Sequence, residues 1–272
     1  MQGVGGSSPL VSTKNLVRRN EVFTHCKVVR NMNPKNLKKK LMSKYKHRIE
    51  LHAHTNPASS CSEVSPKELV RIYKELGYDA ITITNHFIYG FAGRNKEDCV
   101  NTILEDYKEA EKYGEELGIK VYLGAEIRFT ENINDYLIYG VDQQMLGEIY
   151  DLLPNGIEYF RKSYDMPRSV FLQAHPFRDG MERVSPDLLD GIEVFNLHPG
   201  HNSRVGLASV LALENNHKII TAGTDFHHTQ RGHEGITALR CHQLPKDSFG
   251  LAKLLKSGDY LLETGRNNII IP

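Results

Sequence analysis

The chain has 272 residues, 40% of them hydrophobic and 25% charged, a composition typical of a globular protein with one large domain or two small ones. No run of about 18 apolar residues occurs, which excludes a transmembrane helix. The net charge of +1 is the sum of two oppositely charged parts. Residues 1–41 contain nine Lys or Arg and one acidic residue, whereas the remainder contains 25 basic and 32 acidic residues. Because that remainder is acidic, we do not expect it to bind nucleic acid in general.

The first 45 residues combine Gly and Ser with a basic run and show no sustained helical or alternating apolar period. We predict that residues 1–45 are a basic, disordered extension, with Met42 as a candidate natural start, and that residues 46–272 form the functional domain. A basic arm that binds nucleic acid is the alternative for the extension. The N-terminus lacks the apolar stretch of a secretory signal, and the four cysteines are scattered without a CxxC pair. We therefore expect a cytoplasmic protein without a disulfide framework.

Strands and helices alternate from residue 48 onward. The clearest helix signal is the capping box that starts at Ser65, with proline at the first helical position and Gly77 as the end of the helix. Further helices are predicted over 97–117, 204–216 and 247–257. Seven short runs rich in β-formers predict strands, over 48–53, 80–84, 120–127, 136–141, 170–174, 191–195 and 218–223. The alternation predicts an α/β fold with a parallel barrel in one domain.

Most of the predicted strands end in a polar residue that can bind a metal ion. These residues are His52, His54, His86, Glu126, His175, Asn196, Asp225 and His227. In a barrel of parallel strands the carboxyl ends form one rim, so side chains that are far apart in the sequence would converge there. The convergence is a stronger functional signal than any single motif.

The spacing within two of these strand ends suits metal binding. His52 and His54 lie two residues apart, so on a strand both imidazoles face the same side and can reach one ion. Asp225 and His227 repeat this spacing after another apolar run. Imidazoles and carboxylates together bind Zn, Mn or Fe ions, and carboxylates can bridge two ions. Glu50, two residues before His52, is predicted to hold an imidazole in the correct tautomer.

Six ordered motifs resemble those of the polymerase and histidinol phosphatase (PHP) family: HAHT (52–55), SPKELV (65–70), AITITNH (80–86), GAE (124–126), AHP (174–176) and GTDFH (223–227). The resemblance covers about residues 46–240. It implies a distorted seven-stranded, TIM-like β/α barrel, two or three divalent metal ions (Zn, Mn or Fe) in a cleft, and metal-dependent hydrolysis of phosphoesters. By position it implies the metal ligands His52, His54, His86, Glu126, His175, Asp225 and His227.

The chain departs from the pattern of that family at three places. Many members have an acidic or His ligand five or six residues after the second His of the first motif, where this chain has Ser59 and Ser60, followed by Cys61. We interpret Cys61 as a plain loop cysteine, with a soft metal ligand as the alternative. Many members have His at the position of Asp135, which we include as a candidate ligand, and Asn85 replaces a common Asp. The departures at residues 59–61 and at Asp135 concern a third metal ion rather than the first two ions.

Phosphate binding requires cations or hydrogen-bond donors beside the metals. We predict four substrate-binding residues in the segments that follow two of the strands: Arg178, His198, His201 and Arg204. A metal-activated water would attack phosphorus. The leaving oxygen would be protonated by His201, His227 or water.

We therefore predict a hydrolase that acts on a small-molecule phosphate monoester, similar to a histidinol phosphatase. Its partner is a small phosphorylated substrate, with no membrane association. Three alternatives stay open: a PHP-type nuclease or phosphodiesterase, a metal-dependent amidohydrolase, and an inactive metal-binding regulatory domain. The sequence does not predict the oligomeric state.

Overall fold

A computed structural model of the chain describes residues 33–215, 219–229, 232, 234–265 and 268–272. The chain divides into two units between Lys44 and Tyr45. The first unit contains helix α1, Pro34–Lys44, where the sequence analysis expected no regular structure; residues 1–32 lie outside the described residues. Local signals explain the helix, since Asn33 accepts a hydrogen bond from Lys35 N at 2.9 Å and the Lys and Leu residues that follow are good helix formers. Because this helix has no buried residues, it lacks the apolar periodicity by which helices are predicted from sequence.

The second unit contains one sheet, with eleven strands among the described residues. The strands are β1 His47–Ala53, β2 Ala80–Ile83, β3 His86–Ile88, β4 Lys120–Arg128, β5 Asp135–Tyr139, β6 Val170–Gln173, β7 Gly191–Asn196, β8 Ile219–Gly223, β9 Thr237–Cys241, β10 Leu261–Thr264 and β11 Asn268–Ile270. Their order is β11-β10-β9-β1-β2-β4-β5-β6-β7-β8, and β3 pairs with β4 beside this path.

The sheet curls so that β8 returns to β1. Strands β1, β2 and β4 are parallel, β5 is antiparallel to both β4 and β6, and β6, β7 and β8 are parallel again. Just after β8, Phe226 forms a parallel bridge with Ala53, supported by a hydrogen bond from His54 N to Phe226 O at 3.0 Å. The carboxyl ends of the parallel strands and the amino end of β5 therefore border one region.

Six α-helices accompany the sheet in the described part of the second unit: α2 Pro66–Glu75, α3 Lys96–Leu117, α4 Gln143–Leu152, α5 Gly156–Ser163, α6 Val205–Glu214 and α7 Ser248–Ser257. Ser65 caps α2 by accepting a hydrogen bond from Glu68 N at 3.3 Å, as the capping box predicts. The helices bury apolar side chains against the sheet; Leu69 and Tyr73 of α2, for example, belong to one buried cluster with Ile81 of β2. This packing holds the strands whose ends form the site.

The α/β class predicted from the sequence is confirmed, and all seven predicted strands are present within two residues of their predicted bounds. The count of seven is not confirmed, because β3 and β9–β11 extend the sheet. The expectation of parallel strands throughout is wrong at β5 and at β9–β11, which pair antiparallel. No helix in the described residues is long and apolar enough to cross a membrane.

Candidate metal centre

Side chains from three strands meet where the sheet curls back on itself. His52 lies in β1, with His54 just beyond its end, Glu126 lies in β4, and Asp225 follows β8. His52 Nε2 is 3.4 Å from Glu126 Oε1 and 3.5 Å from Asp225 Oδ1. His54 Nε2 is 3.5 Å from Glu126 Oε2 and 3.2 Å from Asp225 Oδ1. All four side chains are buried, so the structure brings these predicted residues together.

The opposite ring nitrogens of the two imidazoles show where their protons lie. His52 Nδ1 is 2.8 Å from Glu193 Oε1, and because a carboxylate oxygen accepts, Nδ1 donates. His54 Nδ1 is 3.2 Å from Ser59 Oγ, whose own proton goes to Asn85 Oδ1 at 3.0 Å. His54 Nδ1 therefore donates as well. Each neutral ring is left with a lone pair on Nε2.

These Nε2 lone pairs face carboxylate oxygens, an arrangement that is repulsive unless a cation lies between them. Both Nε2 atoms and Glu126 Oε2 are buried without a hydrogen bond. Buried polar atoms are rarely unpaired, and imidazole with carboxylate is a common donor set for divalent metals. His52, His54 and Glu126 offer ligand atoms within 4.8 Å of one another. The residues thus fit a metal ion, and their role as ligands stays a prediction.

The same charges shift the pKa values of the cluster. Burial opposes the charged form of His52, but nearby carboxylates, Glu193 first among them, outweigh it and raise the pKa of His52 well above its usual range. Burial and neighbouring imidazoles lower the pKa of His54 well below its usual range. Burial alone would raise the pKa of Glu126, but the imidazoles around it hold that pKa well below the usual range. The carboxylates therefore favour a positive charge beside His52 Nε2, whether a metal ion or, in metal-free protein, a proton supplies it.

The cluster around His52 and His54 is the first group of possible metal ligands. A second group, formed by Glu126, Asp135 and His175, lies beside it and shares Glu126 with it. His175 Nε2 is 3.0 Å from Glu126 Oε1 and 3.8 Å from Asp135 Oδ2. The three residues offer ligand atoms within 4.8 Å of one another. Asp135 reaches this position because β5 is antiparallel, so its first residue lies where the parallel strands end.

Two arginines hold the Asp135 carboxylate. Arg128 Nε and Nη2 donate to Asp135 Oδ1 and Oδ2 at 2.7 and 2.9 Å, and Arg178 Nη2 donates to Oδ2 at 3.0 Å. The Arg128 and Arg178 side chains are 28% and 19% exposed. A guanidinium has five N–H donors, and these contacts use two of Arg128 and one of Arg178.

A third group contains His54, His86 and His227, again with ligand atoms within 4.8 Å. His227 Nδ1 donates to the Asp225 carbonyl oxygen at 2.8 Å, which leaves a lone pair on its Nε2. Burial would lower the pKa of His86, but the Glu126 carboxylate outweighs it and raises that pKa to about 10. Burial opposes ionisation of the Cys61 thiol, but hydrogen bonds with His227 and His86 outweigh it and lower the pKa of Cys61 to about 6.

Two residues of the centre adopt a left-handed backbone conformation that is uncommon outside glycine. They are His175, with φ of 27°, and Asp225, with φ of 52°. Glu193 supports both positions, since its Oε2 accepts from His175 N at 3.1 Å and from Asn196 Nδ2 at 3.0 Å, and Asn196 Nδ2 lies 3.3 Å from Asp225 Oδ2. Such conformations persist where the surroundings hold them, and they cluster at functional sites.

A cavity of 220 Å³ is lined by members of the third group and by residues that contact the other two groups. Its walls are formed by Cys61, His86, Arg128, Arg178, His198, His201, Asp225, His227 and His228. Of the four predicted substrate-binding residues, Arg178, His198 and His201 therefore lie on this cavity. Arg204 does not line it, because its guanidinium binds Phe177 O at 2.7 Å and the Asp179 carboxylate instead.

The expectation that Glu50 holds an imidazole is wrong, and the sequence did not lead us to Glu193 and Arg128. Glu50 Oε1 accepts from the backbone N–H groups of His52 and Thr224, both at 3.0 Å, and Glu193 holds the His52 imidazole in its place. The sequence does indicate a role for Glu193, since a charged residue inside the apolar run GIEVF requires a buried partner. It indicates a role for Arg128 too, because that residue follows Glu126 by two residues and faces the same side of β4.

No curated protein matches this chain. Among solved structures, a two-domain protein from Bacteroides vulgatus ATCC 8482, which contains a predicted PHP-like metal-dependent phosphoesterase, has a TM-score of 0.53 and 18% identity over 80% of this chain and 65% of its own. A proposed metal-dependent phosphoesterase from Bifidobacterium adolescentis ATCC 15703 has a TM-score of 0.45 and 17% identity, with 68% of this chain and 89% of its own covered. An amidohydrolase from Chromobacterium violaceum, with bound sulfate and no metal, has a TM-score of 0.39 and 14% identity, covering 67% and 88%. Of these three, the Bacteroides protein alone has a TM-score above 0.5, and the likeness concerns the fold.

A family model adds a direct match. The PHP domain matches residues 50–229, a range that contains every predicted metal ligand from His52 to His227. It covers more than half of the chain. The chain therefore belongs to the PHP domain family.

Proposed function

We propose that the chain is a metal-dependent phosphoesterase that hydrolyses the phosphate monoester of a small molecule. The observation that carries this proposal is the position of Arg128 and Arg178 on the cavity beside the metal-binding groups. A metal-binding cluster alone would suit many hydrolases. Paired guanidinium groups favour an anionic substrate, because their planar forks match the oxygens of phosphate.

The charge balance around the arginines supports an anionic substrate. Asp135 offers one negative charge to the two guanidinium groups and orients both of them. One positive charge is thus left over for a ligand in the cavity. The cavity of 220 Å³ lies below the range of about 300–1,000 Å³ that is common for drug-sized ligands, which suits a phosphoryl group with a small leaving group.

Divalent metals held by the imidazoles and carboxylates would supply an activated water and neutralise charge on the phosphoryl oxygens. The chain itself would orient the phosphoryl group through Arg128 and Arg178. His201 is the better candidate to protonate the leaving oxygen, since its side chain is 24% exposed on the cavity and its Nδ1 is 3.2 Å from Asp225 Oδ2. His227 is more buried and its Nδ1 proton is bonded to a carbonyl, so its Nε2 suits a metal better than proton exchange.

The donor set also favours a phosphoesterase over a two-metal amidohydrolase. Such amidohydrolases commonly bridge their metals with a carbamylated lysine at a strand end. No lysine is among the described residues that line this cavity, and Glu126 lies between two of the donor groups. Histidinol phosphate is one monoester that fits the proposal, and the arginines do not distinguish it from other small phosphates.

The test compares turnover of p-nitrophenyl phosphate and bis-p-nitrophenyl phosphate by the purified chain with added Mn²⁺ or Zn²⁺. We expect the monoester to be the better substrate. Arg178→Ala should lower kcat/KM for the monoester by about 10- to 100-fold, because a hydrogen bond to a charged group contributes about 1.5–3 kcal/mol. Arg71→Ala is the matched control, since Arg71 lies on α2 and pairs with the exposed Glu75 at 2.9 Å.

Three results would contradict the proposal. Preference for the diester would favour a nuclease or phosphodiesterase. Absence of turnover on both esters with metal bound would favour an amidohydrolase or a binding domain. Equal losses in Arg178→Ala and Arg71→Ala would show that the arginines of the cavity have no special role.

A further inference from the structure

A buried carboxylate on α3, that of Asp106, takes no part in the proposed function. It interrupts the apolar face that α3 buries, which includes Ile103, Leu104 and Ala110, and its side chain is 3% exposed. In the part of the chain that the structure describes, no Lys or Arg forms an ion pair with it. A buried charge without a cation costs free energy unless hydrogen-bond donors surround it. The identity of those donors therefore indicates the role of Asp106.

The donors belong to the segments that carry two predicted metal ligands. All three donate to Asp106 Oδ2: Thr55 Oγ1 at 2.7 Å, Ala58 N at 3.1 Å and Asn85 Nδ2 at 3.3 Å. Thr55 follows His54 in the chain, and Asn85 precedes His86. One carboxylate oxygen on a helix thus holds both of these segments.

The side-chain amide of Asn85 has a single orientation in this arrangement. A carboxylate accepts hydrogen bonds and donates none, so the NH₂ group of the amide must face Asp106. The same NH₂ group donates to Thr55 Oγ1 at 2.8 Å. The amide oxygen points the other way, where it accepts from Thr55 N at 2.7 Å and from the Ser59 hydroxyl at 3.0 Å. The contact with Asp106 therefore commits the Ser59 proton to Asn85.

Ser59 transmits this orientation to the predicted ligands. Because its own proton goes to Asn85, its oxygen can only accept, and it lies 2.9 Å from His86 N and 3.2 Å from His54 Nδ1. His54 Nδ1 must then carry a proton, which leaves the Nε2 lone pair for a metal ion. Ser59 and Asn85 are both fully buried, so water does not compete for these contacts.

We propose that Asp106 is a positioning residue of the candidate metal centre, which fixes the proton on His54 Nδ1 through Asn85 and Ser59 and so prepares Nε2 to bind a metal ion. The inference rests on the metal ligands of the proposed function but not on its substrate. It assigns the carboxylate a role as a hydrogen-bond acceptor. It also accounts for asparagine at position 85, since an aspartate there would place its carboxylate against that of Asp106.

The test measures the affinity of the purified full chain for Zn²⁺ by competition with a chromophoric chelator. Asp106→Ala should lower this affinity by about 10- to 100-fold, the usual loss when a residue that supports a metal ligand is removed. Asp106→Asn should retain most of the affinity, because its amide oxygen can accept from Thr55, Ala58 and Asn85. Glu105→Ala is the matched control, since Glu105 is the neighbouring residue on α3 and is exposed. It should bind Zn²⁺ as the native chain does.

A second variant separates positioning from a general effect on packing. Ser59→Ala removes the last contact before His54, so it should also weaken Zn²⁺ binding. The double variant Asp106→Ala/Ser59→Ala should lose little more affinity than Ser59→Ala alone, because both residues act on the same histidine. A packing defect at Asp106 would multiply the loss instead. Ser60→Ala should keep the native affinity, since Ser60 is exposed, and circular dichroism checks that each variant is folded.

A measurement on the native chain needs no variant. In the zinc-loaded chain with ¹⁵N-labelled histidine, long-range ¹H–¹⁵N NMR spectra distinguish a ring that binds the metal ion through Nε2 from one that binds through Nδ1. We expect His54 to bind through Nε2 and to keep its Nδ1 proton, in contact with Ser59.

Four results would overturn the inference while the proposed function stands. They are unchanged Zn²⁺ affinity in Asp106→Ala, an equally weak Asp106→Asn, losses that multiply in the double variant, and a His54 ring bound through Nδ1. Absence of Zn²⁺ binding by the native chain would contradict both proposals. Absence of phosphatase turnover would leave each of these readouts intact, so the two proposals can be told apart.

Discussion

At the scale of single residues, Glu193 organises the candidate metal centre without lining the cavity. Its Oε1 accepts from His52 Nδ1 at 2.8 Å, and its Oε2 accepts from His175 N at 3.1 Å and Asn196 Nδ2 at 3.0 Å. It thus sets the tautomer of one imidazole and the backbone position of another. Because the side chain is 1% exposed, its charge depends on these partners.

Glu193→Gln should weaken metal binding while the fold persists. The amide has only one acceptor oxygen, so its NH₂ group must face either the His52 Nδ1 proton or the other two donors. Loss of such a partner of a metal-binding histidine typically lowers metal affinity by about 10- to 100-fold. Competition for Zn²⁺ with a chromophoric chelator measures this, with circular dichroism as the check on folding.

The control for this substitution is Glu158→Gln, since Glu158 lies on α5 with a side chain that is 75% exposed and pairs weakly with Lys162. It should leave zinc affinity unchanged. If Glu193→Gln binds zinc as tightly as the native chain, Glu193 does not position His52 for a metal.

At the scale of elements, β8 approaches β1 so closely that residue 223 must be glycine. A Cβ at Gly223 would overlap the Glu193 carboxylate and the Cβ of His52. Gly223→Ala should therefore lower the free energy of unfolding by about 1–3 kcal/mol, the usual cost of overpacking. It should also weaken Zn²⁺ binding, because His52 is displaced; denaturant titration and chelator competition measure the two effects.

Gly206→Ala is the matched control on α6. Nothing lies within 4 Å of a Cβ at Gly206, and alanine favours a helix over glycine by about 1 kcal/mol. This variant should be as stable as the native chain or more stable, with unchanged metal binding. Equal behaviour of the two variants would show that the contact between β8 and β1 tolerates a side chain.

The strands could be predicted from the sequence because each is a short run of β-branched and aromatic residues that ends in polar ones. The start of α2 was predictable because Ser65 and Pro66 act locally. The direction of β5 was not, since its sequence suits a strand of either direction and the segment 129–134 decides how the chain enters it. That reversal is what brings Asp135 to the site.

The site was predictable where spacing along a strand determines it, as at His52 and His54. It was not predictable where a loop conformation decides which of two similar residues reaches the cavity. Arg178 and Arg204 look alike in the sequence, yet Arg178 binds Asp135 and Arg204 binds the chain at Phe177 and Asp179. Only tertiary structure separates them.

At the scale of the whole molecule, one buried carboxylate joins four elements next to the candidate metal centre. Glu50 in β1 accepts from Thr224 N after β8 at 3.0 Å, from Thr237 Oγ1 in β9 at 3.1 Å, and from Tyr73 OH in α2 at 3.4 Å. Burial raises the pKa of Glu50 from its ordinary 4.5 to about 7, although the hydrogen bonds from Thr224 and Thr237 oppose the shift. Its protonation is therefore coupled to the stability of the whole fold.

The stability of metal-free protein should fall with rising pH through this group. Below pH 4.5 Glu50 is protonated in both states; between 4.5 and about 7 the unfolded chain loses the proton while the folded chain retains it, which favours unfolding. At about 1.4 kcal/mol per pKa unit, the contribution lost across this window is about 3 kcal/mol.

The variant Glu50→Gln lacks this titration. Because the Thr237 and Tyr73 hydroxyls can accept hydrogen bonds from its amide, it should fold. The native chain should thus lose stability relative to Glu50→Gln as pH rises from 4.5 to 7, measured by denaturant unfolding in chelator, whereas the exposed Glu158→Gln should show no such trend. A difference between the native chain and Glu50→Gln that stays constant or grows in favour of the native chain would mean that Glu50 is already ionised in the fold.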